Sequence, residues 1–319
     1  MELRNLGASD IKISPIIMGT WQAGRDMWAD IDDAETTRAI QAAVDAGVNT
    51  IDTAAVYGKG HSERVVGKAV GERRPQVVIA TKVFANELQY DQVIAACERS
   101  LANLQTDYID LYQIHWPSGS FGSPVVPIEE TMRALTALKE QGKIRAIGVS
   151  NFSRSQLEEA MAFGDIVSLQ PPYSLLWRHV EADAMPVCAA KGLSILAYSP
   201  MAQGILTGKF GPDHQFKRGD HRRANRLFQE PVFTRVQDAL AALKPIADRH
   251  TITLGQLALA WVIAQPGACA IAGARNADQA RENAQAGAVS LTPEDLAEMD
   301  RISRQVTAQL DDNPVLWKW

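Results

Sequence analysis

Eight times along this chain a short apolar run gives way to a longer segment with helical hydrophobic periodicity. The apolar runs lie at 16–19, 49–52, 77–81, 109–115, 146–149, 166–169, 194–198 and 270–273. Strands that are apolar throughout are those covered on both faces, and parallel strands need helical crossovers between them. Eight such units in 319 residues favour a (β/α)8 TIM barrel over an open doubly wound sheet. Residues 2–14 hold two short segments around Gly7-Ala8-Ser9-Asp10, which predict an N-terminal hairpin. Asp33 is expected to cap a helix through Ala46, with Gly47 as its stop; Ser153 opens another helix, and Thr292-Pro293 the last. Further helices are predicted near 61–70, 90–104, 127–141, 181–191, 234–250, 254–265 and 276–286, so the barrel carries extra helices. No linker or low-complexity tract divides the chain, and residues 1–319 read as a single barrel domain.

Polar residues gather where the apolar runs stop. Asp52 ends Thr50-Ile51-Asp52, and Tyr57 follows in a loop beside Gly58 and Gly60. Lys82 closes Val77-Val78-Ile79-Ala80-Thr81, and His115 closes Ile109-Asp110-Leu111-Tyr112-Gln113-Ile114. Charges are rare at such positions unless they meet one another or a ligand. Asn151, Gln170, Tyr198 and Arg275 also sit at or just past strand ends, the face where barrels build their sites. Asp52, Tyr57, Lys82 and His115 form the candidate catalytic group. A phenol has a free pKa of about 10. An ammonium beside it is expected to lower that value and make it a better acid, with an aspartate fixing the ammonium and a histidine polarising a carbonyl oxygen.

Other chemistries lack their motifs. Gly58 and Gly60 begin a dinucleotide fingerprint, but Glu63 stands where its third glycine belongs. The run from Gly204 to Lys209 is one residue short of a P-loop, and Phe210 replaces its Ser/Thr. Ser150 is no nucleophile elbow, since Phe152 occupies the second glycine position. The six histidines show no zinc spacing, and no metal is expected. A net charge of −5 gives no electrostatic reason to expect nucleic acid or anionic membrane. The start lacks a signal-peptide core, no apolar run would span a bilayer, and Cys97, Cys188 and Cys269 are scattered. These features predict a cytoplasmic protein without a membrane partner.

The sequence resembles the aldo-keto reductases along nearly its whole length. The match runs through Gly-Val-Asn-Thr-Ile-Asp-Thr-Ala-Ala-Val-Tyr-Gly (47–58), Ile-Ala-Thr-Lys (79–82) and Leu-Gln-Thr-Asp-Tyr-Ile-Asp-Leu-Tyr-Gln-Ile-His-Trp-Pro (104–117). It continues through Gly-Lys-Ile-Arg-Ala-Ile-Gly-Val-Ser-Asn-Phe (142–152) and Gln-Pro-Pro-Tyr-Ser (170–174). With Trp116-Pro117 after the histidine, it looks most like the bacterial general-stress-type branch. The resemblance implies NADPH-dependent reduction of a small-molecule carbonyl, with Tyr57 as general acid assisted by Lys82, Asp52 and His115. It implies that Ser150, Asn151 and Gln170 hold the nicotinamide carboxamide and that Tyr198 stacks on the ring. Ser199, Met201, Gly204 and Lys209 would follow the pyrophosphate, and Arg275, Gln279, Glu282 and Asn283 the adenosine end. Better-known members have Lys-Ser where this chain has Gly273-Ala274, which leaves Arg275 to meet the 2′-phosphate, with Arg218 a further basic residue of the long 202–232 loop. The alternative function, by likeness to potassium-channel β subunits, is an NADPH-binding sensor or regulatory subunit. A third reading, Lys82 as the Schiff-base lysine of a barrel lyase, is disfavoured by the long loop and the adenosine-end residues. Trp21, Trp28 and Trp116 are the expected substrate walls, with Trp177 a further candidate. The tail from Leu310 to Trp319 is expected to bring Trp317 or Trp319 close to Trp21 or Trp28.

Overall fold

The eight apolar runs pair as one closed parallel barrel in the computed structural model, which describes residues 1–26, 28 and 30–310. A two-stranded hairpin, Arg4–Asn5 (β1) and Lys12–Ile13 (β2), precedes it. The barrel strands are Ile16–Gly19 (β3), Thr50–Asp52 (β4), Val78–Val83 (β5), Ile109–Ile114 (β6), Ile144–Ser150 (β7), Ile166–Gln170 (β8), Ser194–Tyr198 (β9) and Ala268–Gly273 (β10). They pair in chain order, and β10 closes on β3. Between them run the helices Asp33–Asp45 (α1), His61–Val70 (α2), Tyr90–Leu104 (α3), Ile128–Glu140 (α4), Arg154–Met161 (α5) and Met185–Lys191 (α6). Val232–Arg249 (α7) and Leu254–Ile263 (α8) come between β9 and β10, and Ala277–Gln285 (α9) and Pro293–Thr307 (α10) follow β10.

Strand parity divides the core in two, because successive side chains point to opposite faces. Ile51, Ile79, Tyr112 and Ile147 face outward onto the helices. Val78, Ala80 and Leu111 face inward, where Leu6, Ile11 and Ile13 of the hairpin segment pack among them. The hairpin therefore closes the N-terminal end of the barrel, as a hydrophobic plug. Continuing the same parity toward the C-terminal end puts Lys82 after Val78 and Ala80, and Gln113 after Leu111. The register agrees, with Lys82 opposite Gln113 and Ser150 opposite Gln170.

Most caps follow the sequence signals. Ser153 and Thr292 each sit in a reciprocal capping box, with Gln156 and Asp295 respectively, and Gly47 follows α1 with φ +89°. Two expectations shift. The cap of α1 is Asp32, whose carboxylate accepts the Glu35 N–H at 2.8 Å. Asp33 instead binds the Arg25 guanidinium at 2.8 Å and the His61 ring at 3.0 Å. The helix expected over 181–191 is a 3-10 turn at His179–Glu181 followed by the short α6, whose start is set by Pro186 in its first turn. The long 202–232 segment contains three 3-10 turns, Ala202–Thr207, His221–Ala224 and Arg226–Phe228.

Candidate active site

A cavity of about 620 Å³ opens at the C-terminal end of the barrel. At its centre the end of β4 holds Asp52, almost fully buried, against the Lys82 ammonium of β5, which is completely buried. Lys82 Nζ donates to Asp52 Oδ1 at 2.6 Å and to the Thr53 carbonyl at 2.7 Å. The other Asp52 oxygen accepts from Gln170 Nε2 at 2.8 Å, and Gln113 Nε2 approaches it at 3.5 Å. Burial pulls the Lys82 ammonium below its ordinary value, opposed by Asp52 and, further off, by buried Glu63. Ion pairs survive burial only when both partners are hydrogen-bonded, and this one is.

Tyr57 stands in front of that pair. Lys82 Nζ lies 5.3 Å from the centre of its ring. Two glycines place it. A side chain at Gly24 would strike Tyr57 C at 2.7 Å, and one at Gly58 (φ +60°) would strike the Gly24 carbonyl at 2.4 Å. The loops meet backbone to backbone, and only glycine leaves room. The phenol departs from the sequence-based expectation. Burial, then the Asp52 carboxylate, then Tyr198 push its pKa well above 10 instead of below. The consequence is a phenol that keeps its proton.

His115, just past β6, donates its backbone N–H to the Val83 carbonyl, and its ring meets Tyr57 edge-on at 5.7 Å. Burial, then the Lys82 charge, hold its pKa well below 6.5, so the ring is neutral. Its Nδ1 is buried with no hydrogen-bond partner. Beyond it an unbroken series of rings continues: Phe84 at 5.6 Å from His115, Phe121 stacked on Phe84 at 5.7 Å, and Trp116 at 5.0 Å from Phe121. On the other side of Tyr57 come Trp21, at 6.5 Å, and Trp28, at 5.3 Å from Trp21.

A polar strip lies opposite. Ser150 Oγ donates to the Gln170 carbonyl at 2.8 Å, Asn151 Nδ2 to the His115 carbonyl at 3.0 Å, and Tyr198 OH to Asn151 Oδ1 at 2.9 Å. Asn151, Ser199 and Gln203 line the cavity with left-handed backbone, at φ +61°, +52° and +59°. For residues with a side chain this costs energy and concentrates at functional sites. Further along the wall come Met201, Gly204, Lys209, Arg275, Gln279, Glu282 and Asn283. Gln279 Oε1 accepts the Arg275 N–H at 2.9 Å, and Asn283 Nδ2 donates to the Gly273 carbonyl at 3.1 Å. Three cations crowd here: Lys209, Arg275 and Arg222. Desolvation first, then their mutual repulsion, lowers the pKa of Lys209 and Arg275.

The candidate catalytic and cofactor residues other than Lys82 line this one cavity, with Trp21, Trp28 and Trp116; Lys82 lies beneath it, on Asp52. Trp177 is buried in the core and is not part of the wall, and Arg218 is exposed away from it. Trp317 and Trp319 lie outside the described residues; the ring found between Trp21 and Trp28 is His221, at 4.8 and 4.7 Å. Sequence reasoning missed Gln113, Arg222, Phe84, Phe121 and Asp26. Parity with His115 two residues on is the signal that could have found Gln113.

A closed parallel barrel with a buried ion pair, a phenol and an imidazole at its C-terminal end has the architecture of a barrel enzyme. The chain belongs to the aldo/keto reductase family, an oxidoreductase family whose model matches residues 15–304. The aldo-keto reductase YhdN of Bacillus subtilis is 38% identical over 314 residues, covering 95% of this chain and 93% of that one. An NADH-specific methylglyoxal reductase of Escherichia coli is 34% identical, covering 91% and 94%. Among solved structures, a glycerol dehydrogenase from Gluconobacter oxydans superposes with a TM-score of 0.88 at 34% identity, over 97% of each chain. An aldo-keto reductase from Klebsiella pneumoniae in complex with NADP and acetate gives 0.76 at 32%, over 92% and 93%.

Proposed function

We propose that the protein, acting as one barrel domain, reduces an aldehyde or ketone to the alcohol with NADPH, and that Tyr57 donates the proton. The observation that carries this reading is the Tyr57 phenol fronting the buried Asp52–Lys82 pair and sharing a cavity with three crowded cations. Tyr57 holds a proton at its phenol oxygen, ready for an oxygen on which negative charge develops. The neutral His115 ring has one N–H to offer, which orients that same carbonyl oxygen. Asp52 fixes the Lys82 ammonium, whose positive field behind the ring favours negative charge in front of it. The aromatic rings exclude water from the reacting atoms.

The cavity wall fits a phosphorylated dinucleotide. Mutual repulsion among Lys209, Arg222 and Arg275 is relieved when an anion enters, and the start of α9 adds its N–H groups. Arg275, with Arg222, would take the 2′-phosphate. Gln279, Glu282 and Asn283 would take the adenosine, and Ser199, Met201, Gly204 and Lys209 the pyrophosphate. Ser150, Asn151 and Gln170, held by their own hydrogen bonds, would present a carboxamide site, with Tyr198 against the ring. When bound, the nicotinamide supplies the hydride that the carbonyl carbon accepts.

NADPH oxidation followed across aldehydes, ketones and sugars tests the reading, with NADH run in parallel. Turnover of a carbonyl with NADPH favoured over NADH is expected. A second reading, a cofactor-binding regulatory subunit, draws on the probable potassium-channel β subunit of Arabidopsis thaliana, 34% identical over 310 residues. Tight NADPH binding with no turnover on any carbonyl would favour it.

A further inference from the structure

The charges around the cavity are segregated, and this bears on which carbonyls fit. The three cations gather past Trp28: the Arg222 and Arg275 guanidinium carbons lie 5.1 and 5.5 Å from its ring centre. Trp21 then stands between Trp28 and Tyr57. On the Tyr57 and His115 side, Phe84, Trp116 and Phe121 are apolar surface. Lys82, whose ammonium lies 5.3 Å from the centre of the phenol ring, is completely buried and ion-paired with Asp52. Arg222 is itself paired with Asp220, at 2.5 Å. The free charge on Tyr57's side is the carboxylate of Asp26, exposed on the cavity wall, with no ion-pair partner among the described residues. Its Oδ2 accepts the Gly58 N–H at 3.1 Å, one residue from Tyr57.

We infer that the substrate class is an uncharged carbonyl bearing an aromatic or bulky apolar group, and that Asp26 is a specificity-determining residue that rejects carboxylate- or phosphate-bearing substrates. The inference rests on the carbonyl-reductase reading and names the substrate for it. Aromatic walls recover apolar area from a ring-bearing substrate and offer edge-to-face contacts. An anionic substrate there loses hydration, meets no cation in return, and is repelled by Asp26. The left-handed backbone of Phe121 (φ +56°), between Gly119 (φ +81°) and Gly122 (φ +72°), holds a half-exposed ring out over the mouth. That ring extends the apolar wall beyond the barrel rim.

The test compares benzaldehyde with 4-carboxybenzaldehyde, which differ by one carboxylate. Wild-type kcat/KM is expected to favour benzaldehyde by about tenfold or more, with the difference in KM, and the ratio to narrow as salt is raised. In Asp26→Asn the amide oxygen still accepts the Gly58 N–H, so only the charge is removed. The ratio is expected to narrow about threefold to tenfold in that variant, the size of one screened charge at contact range. A second arm needs no turnover: quenching of tryptophan fluorescence by benzyl alcohol and by 4-carboxybenzyl alcohol in the presence of NADP+. Tighter binding of benzyl alcohol is expected, with the gap shrinking in Asp26→Asn. Equal kcat/KM for the two aldehydes, or equal affinity for the two quenchers, would overturn the inference. So would a ratio that neither salt nor Asp26→Asn changes. If neither aldehyde is reduced, the reductase reading fails, while the fluorescence arm still decides the charge selectivity.

Discussion

Replacing Asp52 with Asn removes one charge from the middle of the barrel and leaves the Lys82 ammonium in place. That ammonium is completely buried; the Thr53 carbonyl still accepts from it at 2.7 Å, but the one amide oxygen of Asn cannot replace the carboxylate charge or accept from both Lys82 and Gln170. Removing one partner of a buried pair costs about 3–5 kcal/mol, because the other charge is left uncompensated. Unfolding entropy of about 2.1 cal/mol/K per residue, over 319 residues, is about 0.67 kcal/mol/K. Asp52→Asn should therefore lower Tm by about 4–8 °C, read by calorimetry or by circular dichroism. The double variant Asp52→Leu/Lys82→Met replaces the pair with apolar groups and should recover most of that loss while remaining inactive. A single variant that loses less than about 1 kcal/mol would refute the reasoning, since it would mean Lys82 does not depend on Asp52.

Other perturbations address the rest of the site. Arg275→Ala should weaken NADPH about tenfold to a hundredfold and NADH far less, the size of one charge-assisted contact; equal losses in titrations with both cofactors would place Arg275 elsewhere. With the Tyr57 pKa raised, the proposal that its protonated phenol is the acid predicts no alkaline limb in kcat from this group until above pH 10, which a pH–rate profile checks. His115 is depressed when folded, so its contribution to stability is complete above about pH 6.5 and is lost as pH falls toward its folded value. The urea midpoint should fall across that acidic range, and by less in His115→Phe.

Much of this site is legible in the sequence, for identifiable reasons. Asp52, Lys82 and His115 stand out because a charge at the end of an apolar strand needs a partner, and the barrel supplies it. Gln113 was hidden inside Ile109-Asp110-Leu111-Tyr112-Gln113-Ile114, where nothing but parity separates an inward amide from an outward one. Arg222 could not be told from Arg218 because an irregular loop has no period to assign facing. The Tyr57 pKa moves up and not down because the phenol is buried, which the sequence of a loop residue does not show, and the Asp52 carboxylate and Tyr198 add to that burial. The cap of α1 fell on Asp32 because Asp33 has Arg25 and His61 for partners, and adjacent acids offer no local signal to choose between them.

The central claim is that Tyr57 donates the proton, and Tyr57→Phe tests it most directly. The substitution removes one oxygen and keeps the ring between Trp21 and His115, so the cavity walls should hold. Single-turnover rates and kcat with benzaldehyde should fall by about a hundredfold to ten-thousandfold, the range of general-acid catalysis, while the NADPH Kd stays within about twofold. A variant that reduces the carbonyl at the wild-type rate, or one that loses cofactor affinity in step with kcat, would contradict the account.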